Sequence, residues 1–244
     1  MTKLEYPESP YKDVEFLDSL EGRTLRILSE YLGPMSRFEK AKINSTVLFL
    51  GSARAEPGEA GSPFTKYYWE AEELAHLLTK WAIPLKPKGK NFVVCTGGGP
   101  GIMEAANRGA GRAGGRSIGM NISLPQEQAP NRYISPELLF GFHYFFMRKF
   151  WLVYKAKAVV AFPGGFGTLD EFFEILTLLQ TSRVSKKELF IILYGKEYWS
   201  KVIHFDALVE SGAIAPGDVE LFTVCSSPKQ AFAQLKTRLS SCLR

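Results

Sequence analysis

The sequence predicts an α/β fold: a doubly wound parallel sheet with helices on both faces, preceded by a helical extension. Three observations predict it. Short apolar runs alternate with amphipathic stretches, no hairpin signal joins two runs, and glycine-rich turns fall where an apolar run gives way to a helix. Turns of that kind, at the carboxyl ends of strands, are where open α/β sheets bind ligands.

At 244 residues the chain fits one large domain or two small ones and can bury a substantial core. We assign residues 1–40 to an N-terminal arm and helix, and residues 41–244 to a single sheet domain. The formal net charge of +5 is modest, and the basic residues are dispersed except for Lys86-Pro87-Lys88-Gly89-Lys90. That run reads as a solvated turn, so no nucleic-acid partner is expected. Cys95, Cys225 and Cys242 are odd in number and lack CxxC spacing, which indicates neither a disulfide framework nor a zinc or other metal site. With no apolar leader and no run long enough to span a bilayer, no membrane association is expected and a cytoplasmic location fits best.

Residues 1–11 are polar and proline-bearing, an arm without fixed structure. Val14, Leu17, Leu20, Ile27, Leu28 and Tyr31 approximate a helical stripe from Lys12 to Leu32, which Gly33-Pro34 should stop. This extension packs on the main domain or on a second subunit, and nothing in it suggests chemistry. Thr46–Leu50 reads as a buried strand leading into Gly51-Ser52-Ala53-Arg54, either a ligand-binding turn or a simple strand exit. Residues 56–63 form a loop and Phe64–Trp81 an amphipathic helix.

Phe92–Cys95 is the second strand, followed by Thr96-Gly97-Gly98-Gly99-Pro100-Gly101-Ile102-Met103-Glu104 at the head of a helix. It is not a dinucleotide fingerprint, because Ile102 stands where the third glycine belongs and no acid follows about twenty residues on. Nor is it a P-loop, since no Gly-Lys-Ser/Thr follows. Arg116–Asn121 is a third strand and Ser123–Asn131 a loop. Phe142–Tyr154 reads as a helix that is aromatic nearly all round, which must be buried, partly against another subunit. Within it Arg148 and Lys149 are the exceptions, pointing about 100° apart. His143 reads as a core or interface residue. Beyond it come a strand over Lys157–Phe162, a helix over Thr168–Thr181, a strand over Leu189–Leu193, a helix over Tyr198–Glu210, a short strand over Val219–Val224 and a closing helix over Pro228–Leu243.

The stretch Val159–Glu171 organises the rest. Four apolar residues end at Pro163, and Gly164, Gly165 and Gly167 let main-chain N–H groups converge on an anion beside the amino terminus of the next helix. Glu171, one turn in, is a carboxylate close to that anion. It either has a second task or forms a capping box with Thr168.

Pro163-Gly164-Gly165-Phe166-Gly167-Thr168-Leu169-Asp170-Glu171 resembles the PGGxGTxxE signature of the LOG ("Lonely guy") family, and Met147-Arg148-Lys149 resembles its partner motif. The resemblance spans about residues 45–225, and many relatives bear the label "lysine decarboxylase". It implies a Rossmann-like nucleotide-binding domain and a nucleoside 5′-monophosphate phosphoribohydrolase, releasing a cytokinin or a purine such as adenine. It implies Arg148 and Glu171 as catalytic residues. The 5′-phosphate would rest on Gly164, Gly165, Gly167 and Thr168, with Gly51, Ser52, Gly98, Gly99, Glu104 and Lys149 as further substrate contacts. Glu104 fits a helix-capping role equally well, and Asn107 is a further contact to sugar or base.

No cofactor is expected: there is no flavin or nicotinamide fingerprint, and no recognisable pyridoxal-phosphate lysine to support decarboxylation. A homodimer or higher homo-oligomer is expected. The alternative is a non-catalytic nucleotide or molybdenum-cofactor carrier of the same fold, which would not need both Arg148 and Glu171.

Overall fold

The computed structural model describes residues 8–58, 62–88, 91–123, 129–185 and 188–242. Among them seven strands form one sheet: β1 (Ser45–Leu50), β2 (Phe92–Thr96), β3 (Ser117–Ile122), β4 (Leu139–Phe142), β5 (Ala156–Ala161), β6 (Phe190–Tyr194) and β7 (Phe222–Cys225). Their order is β4-β3-β2-β1-β5-β6-β7, and every neighbouring pair is parallel. The central strands are covered on both faces, so Val47-Leu48-Phe49-Leu50 and Ala158-Val159-Val160-Ala161 read as unbroken apolar runs, not alternating ones.

Helices α1 (Val14–Asp18), α2 (Arg23–Lys40), α3 (Thr65–Ala82), α4 (Ile102–Arg112), α5 (Phe145–Tyr154), α6 (Phe166–Gln180), α7 (Lys196–Val202), α8 (Phe205–Glu210) and α9 (Pro228–Ser241) flank the sheet. One core layer joins α3, α4 and α9 to the sheet through Tyr68, Leu74, Ile102 and Leu235. The other joins α2, α5, α6 and α7 through Phe38, Trp151, Phe172 and Trp199. From β1 the chain builds outward to β4, then returns to the other side of β1 with β5. At that reversal the connections leaving β1 and β5 diverge and leave a crevice at the strands' carboxyl ends.

The N-terminal region departs from the sequence reading. Helix α2 does not stop at Gly33-Pro34 but runs to Lys40 with Pro34 inside it. A proline there cannot bond to the carbonyl four residues back, which is that of Glu30. The indole Nε1–H of Trp151 on α5 donates to that carbonyl at 3.0 Å. Tertiary contact thus satisfies the acceptor that local rules leave open, and the helix continues. Phe38 and Trp151 stack with centroids 5.5 Å apart, so the extension packs on the main domain.

Other boundaries shift for local reasons. Residues 139–142 pair with β3 as an edge strand, and α5 starts only at Phe145. Ile203 and His204 leave helical geometry and split the expected Tyr198–Glu210 helix into α7 and α8. Pro216–Leu221 is a 3₁₀ turn, which delays the last strand to Phe222. Residues 1–7 of the arm, 124–128 of the Ser123–Asn131 loop, and the side chains of the Lys86–Lys90 run lie outside the described residues.

Replacing Trp151 with Phe should leave the Glu30 carbonyl unpaired and destabilise the fold by about 2 kcal/mol or more. In a Pro34→Ala background the restored N–H can serve the same carbonyl, so the penalty should shrink. Urea denaturation of the two single variants and the double variant measures the difference.

Candidate active site

The crevice at the strand reversal is a cleft of about 610 Å³. The turns after β1 and β5 meet across it: Ser52 N–H donates to the Pro163 carbonyl at 2.9 Å, and Phe162 N–H to the Leu50 carbonyl at 2.8 Å. Gly164 is required here, because a Cβ would lie 2.2 Å from Thr168 Oγ1 and 2.9 Å from the Ser52 nitrogen. Gly165 caps α6, and the first main-chain bond into that helix is Leu169 N–H to the Gly165 carbonyl, at 3.0 Å. The N–H groups of Phe166, Gly167 and Thr168 precede it and have no acceptor within the helix. Together with the helix dipole, these donors suit the glycine turn to an anion.

The expected helix start at Thr168 is therefore two residues late. The capping box does not form either, since the N-cap is Gly165 and Glu171 is engaged elsewhere. Its Oε1 accepts from Arg148 Nη1 at 2.8 Å, with side-chain exposures of 14% and 12% respectively. Arg148 Nε also donates to the Met120 carbonyl within β3, at 2.9 Å. Gly97 leaves room for the guanidinium: a Cβ there would be 2.5 Å from Nη2. Burial pushes the Glu171 carboxyl up from its ordinary value, and the Arg148 guanidinium pulls against that shift. An acid held in this balance can accept or stabilise positive charge when a ligand alters its surroundings.

The structure brings Gly51, Ser52, Gly164, Gly165, Gly167, Thr168, Arg148 and Glu171 to the wall of this one cleft. Other expected contacts go elsewhere. Lys149 Nζ is held by Asp170 at 2.7 Å and Glu174 at 3.2 Å, fastening α5 to α6. Gly98 and Gly99 shape the second glycine loop, and Gly97 and Met103 reach the cleft in their place. At Gly98, φ is +77°, and its carbonyl accepts from the Asn131 N–H at 3.0 Å. Glu104 accepts from the Tyr68 hydroxyl at 2.8 Å, and burial pushes that phenol up to about 12. Asn107 is fully buried, accepting from Thr96 Oγ1 and Asn131 Nδ2 and donating to the Ile118 carbonyl, so it braces the loop and does not meet a ligand.

Sequence reading missed Phe64 and Tyr198 on the cleft wall, and gave Arg54 and Phe166, which also line it, no role of their own within the runs that hold them. Tyr198 fixes the glycine turn from outside the motif, its hydroxyl donating to the Gly164 carbonyl at 2.8 Å. No local pattern marks it, because α7 reaches the turn only through the fold.

Among the described residues there is no cluster of His, Cys, Asp and Glu able to hold a metal ion, and no helix long and apolar enough to cross a membrane.

The chain is 27% identical over 178 residues to "Probable cytokinin riboside 5'-monophosphate phosphoribohydrolase LOGL5" of Oryza sativa subsp. japonica, covering 72% of this chain and 65% of that one. The chain thus matches somewhat under two thirds of that relative's length. It is 26% identical over 198 residues to the "Cytokinin riboside 5'-monophosphate phosphoribohydrolase" of Rhodococcoides fascians, covering 79% and 89%. Among solved structures, the molybdenum cofactor carrier protein of Chlamydomonas reinhardtii shares the fold with a TM-score of 0.51 at 18% identity, over 81% of this chain and 99% of the other. The family model described as "Possible lysine decarboxylase" matches residues 103–235, more than half of the chain and including both the Arg148 and the Glu171 motifs. The chain belongs to that LOG-like family.

Proposed function

We propose that the chain is a nucleoside 5′-monophosphate phosphoribohydrolase, hydrolysing the N-glycosidic bond to release a free base and ribose 5-phosphate. The observation that carries the reading is the Arg148–Glu171 pair opening on the same cleft as the amino terminus of α6. A phosphate seated on the N–H groups of Phe166, Gly167 and Thr168 would leave the sugar to extend along the cleft toward Glu171. Gly167 and Glu171 are four residues apart, roughly 6 Å along the helix axis. Side chains on a helix lean toward its amino terminus, which brings the carboxylate back over the sugar.

Cleavage develops positive charge at C1′ as the base leaves with the bonding electrons. A fixed carboxylate stabilises that charge, and phosphate binding at a distance holds the scissile bond beside it. Water then supplies oxygen to C1′, and its proton ends on the departing base. Arg148 orients Glu171 and neutralises nearby negative charge. The relatives' names make a cytokinin or a purine such as adenine the base to try first.

Ribose 5-phosphate release should be detected with at least one nucleoside 5′-monophosphate, and Glu171→Gln should lower kcat by about 10²–10⁴-fold while nucleotide binding persists. Turnover is measured by product assay and binding by calorimetry. The shared fold of the molybdenum cofactor carrier raises a second reading, ligand holding without chemistry. Tight binding with no product from any nucleotide, and no effect of Glu171→Gln, would select it.

The carboxylate is the working form, so activity should be present above the folded pKa of Glu171 and fall as pH drops through it. That value is raised above the ordinary 4.5, which places the acid limb of kcat/KM above the usual carboxylate range. Stability has the opposite sign. The folded state holds the proton more tightly than the unfolded one, so this group's contribution falls as pH rises from the unfolded to the folded value. Glu171→Gln should abolish that slope in urea denaturation measured across the same window.

We further propose a homodimer that covers the aromatic face of α5, where Phe145, Phe146 and Tyr154 are 52%, 51% and 50% exposed. Sedimentation should give a dimer mass, and Phe146→Glu should shift it toward the monomer. A monomeric wild-type chain would overturn this assignment.

A further inference from the structure

Helix α5, which presents Arg148, has no capping side chain of its own, since its N-cap residue is Tyr144. The cap comes from α2, more than a hundred residues earlier. Glu30 Oε1 accepts from the His143 N–H at 2.7 Å and Oε2 from the Tyr144 N–H at 3.2 Å. A carboxylate at this end also meets the positive pole of the α5 dipole. The main chain of the same residue serves α5 a second time, because Pro34 leaves the Glu30 carbonyl to the Trp151 indole. Glu30 therefore holds α5 with its side chain at the two residues just before the first turn and, about two turns further on, with its backbone.

The contact leads directly to the site. The Tyr144 carbonyl accepts from the Arg148 N–H at 3.1 Å, so Tyr144 bonds to Glu30 through its nitrogen and to Arg148 through its oxygen. Arg26 on α2 fixes the other end of Tyr144, donating from Nε to the phenolic oxygen at 3.3 Å. Tyr31, next to Glu30, packs its ring 5.6 Å from Phe150 and 5.9 Å from Trp151. The rotation and height of α5, and with them the reach of Arg148 to Glu171, depend on this clasp.

We propose that Glu30 is a positioning residue for the Arg148–Glu171 pair, and that the N-terminal helix is a working part of the active site although it touches no substrate. The inference rests on the proposed hydrolase reading for its kinetic consequence only. A second readout is independent of turnover: the titration of the Glu171 carboxyl, followed by carbon-13 NMR in the ligand-free protein. Glu171 is faced by Arg148 and Lys149 from α5, by Asp170 on its own helix, and by the Cys95 thiol on β2. Of these, Arg148 makes the largest opposing contribution to the burial that raises the carboxyl. Loosening the clasp weakens that pull, so the midpoint should rise further.

The variants are Glu30→Gln, which keeps volume and one acceptor, and Glu30→Ala. Met35→Ala is the control, removing core packing of the same helix without touching the clasp. Both Glu30 variants should lower kcat by about tenfold or more, with KM changed less than about twofold, and should shift the Glu171 midpoint and the acid limb upward together. Glu30→Gln is the milder case and keeps the test open if Glu30→Ala fails to fold. Met35→Ala, compared at a similar loss of Tm, should move neither midpoint nor kcat. An unmoved Glu171 midpoint in the Glu30 variants, or an equal shift in Met35→Ala, overturns the proposal. If the wild-type chain releases no product, the hydrolase reading falls, while the NMR titration still decides the clasp.

Discussion

The contact between Arg148 and Glu171 is the constraint on which the rest of the arrangement depends. Two charges with side chains only 12% and 14% exposed lose most of their hydration, and their attraction returns that loss only when the geometry is good and their other polar atoms are satisfied. A pair of well-packed apolar side chains would stabilise the fold as well or better. The pair stands beside a cleft and not in the middle of a core layer, the setting in which perturbed carboxyls cluster at functional sites. Its neighbours are arranged accordingly. The Met120 carbonyl takes Arg148 Nε, and Gly97 leaves space beside Nη2 that any side chain would fill.

Four separated parts of the chain meet around this one contact. Helix α6 supplies Glu171 together with the free N–H groups of its amino terminus. Helix α5 supplies Arg148, and β3 supplies the carbonyl that steers it. Helix α2, outside the sheet, supplies the carboxylate that caps α5. Lys149 joins the first two of these from the other side, bridging to Asp170 and Glu174, so the adjacent basic residues divide the labour: one faces the cleft and one fastens the helices. Their roughly 100° separation on the helix makes that division unavoidable.

Much of this was legible in the residues themselves. Apolar runs interrupted by glycine turns gave the parallel sheet, because strands buried on both faces cannot alternate and strand-to-helix turns need backbone freedom. The glycine turn at 164–167 was legible by its composition alone as a strand-to-helix turn whose backbone N–H groups can converge. The second glycine run was harder to assign. Its glycines are similar in number, but Gly98 bonds to Asn131 and only Gly97 reaches the cleft, a distinction set by which way each peptide faces. Asn107 likewise has the chemistry of a ligand contact and the burial of a brace.

Local covalent rules and hydrophobic period thus determined, from the sequence by itself, the strand order's raw materials and the glycine turn at the head of α6, while Arg148 and Glu171 stood out through the family resemblance and not through spacing. What only the tertiary structure decided was partnership across distance. Pro34 reads as a helix stop until Trp151 donates to the carbonyl it frees, and Glu171 reads as a helix cap until Arg148 reaches it. Glu30 has no local signal, because its partners lie more than a hundred residues away. A hydrogen bond between remote residues depends on how packed layers bring them together, and no spacing along the chain encodes that distance.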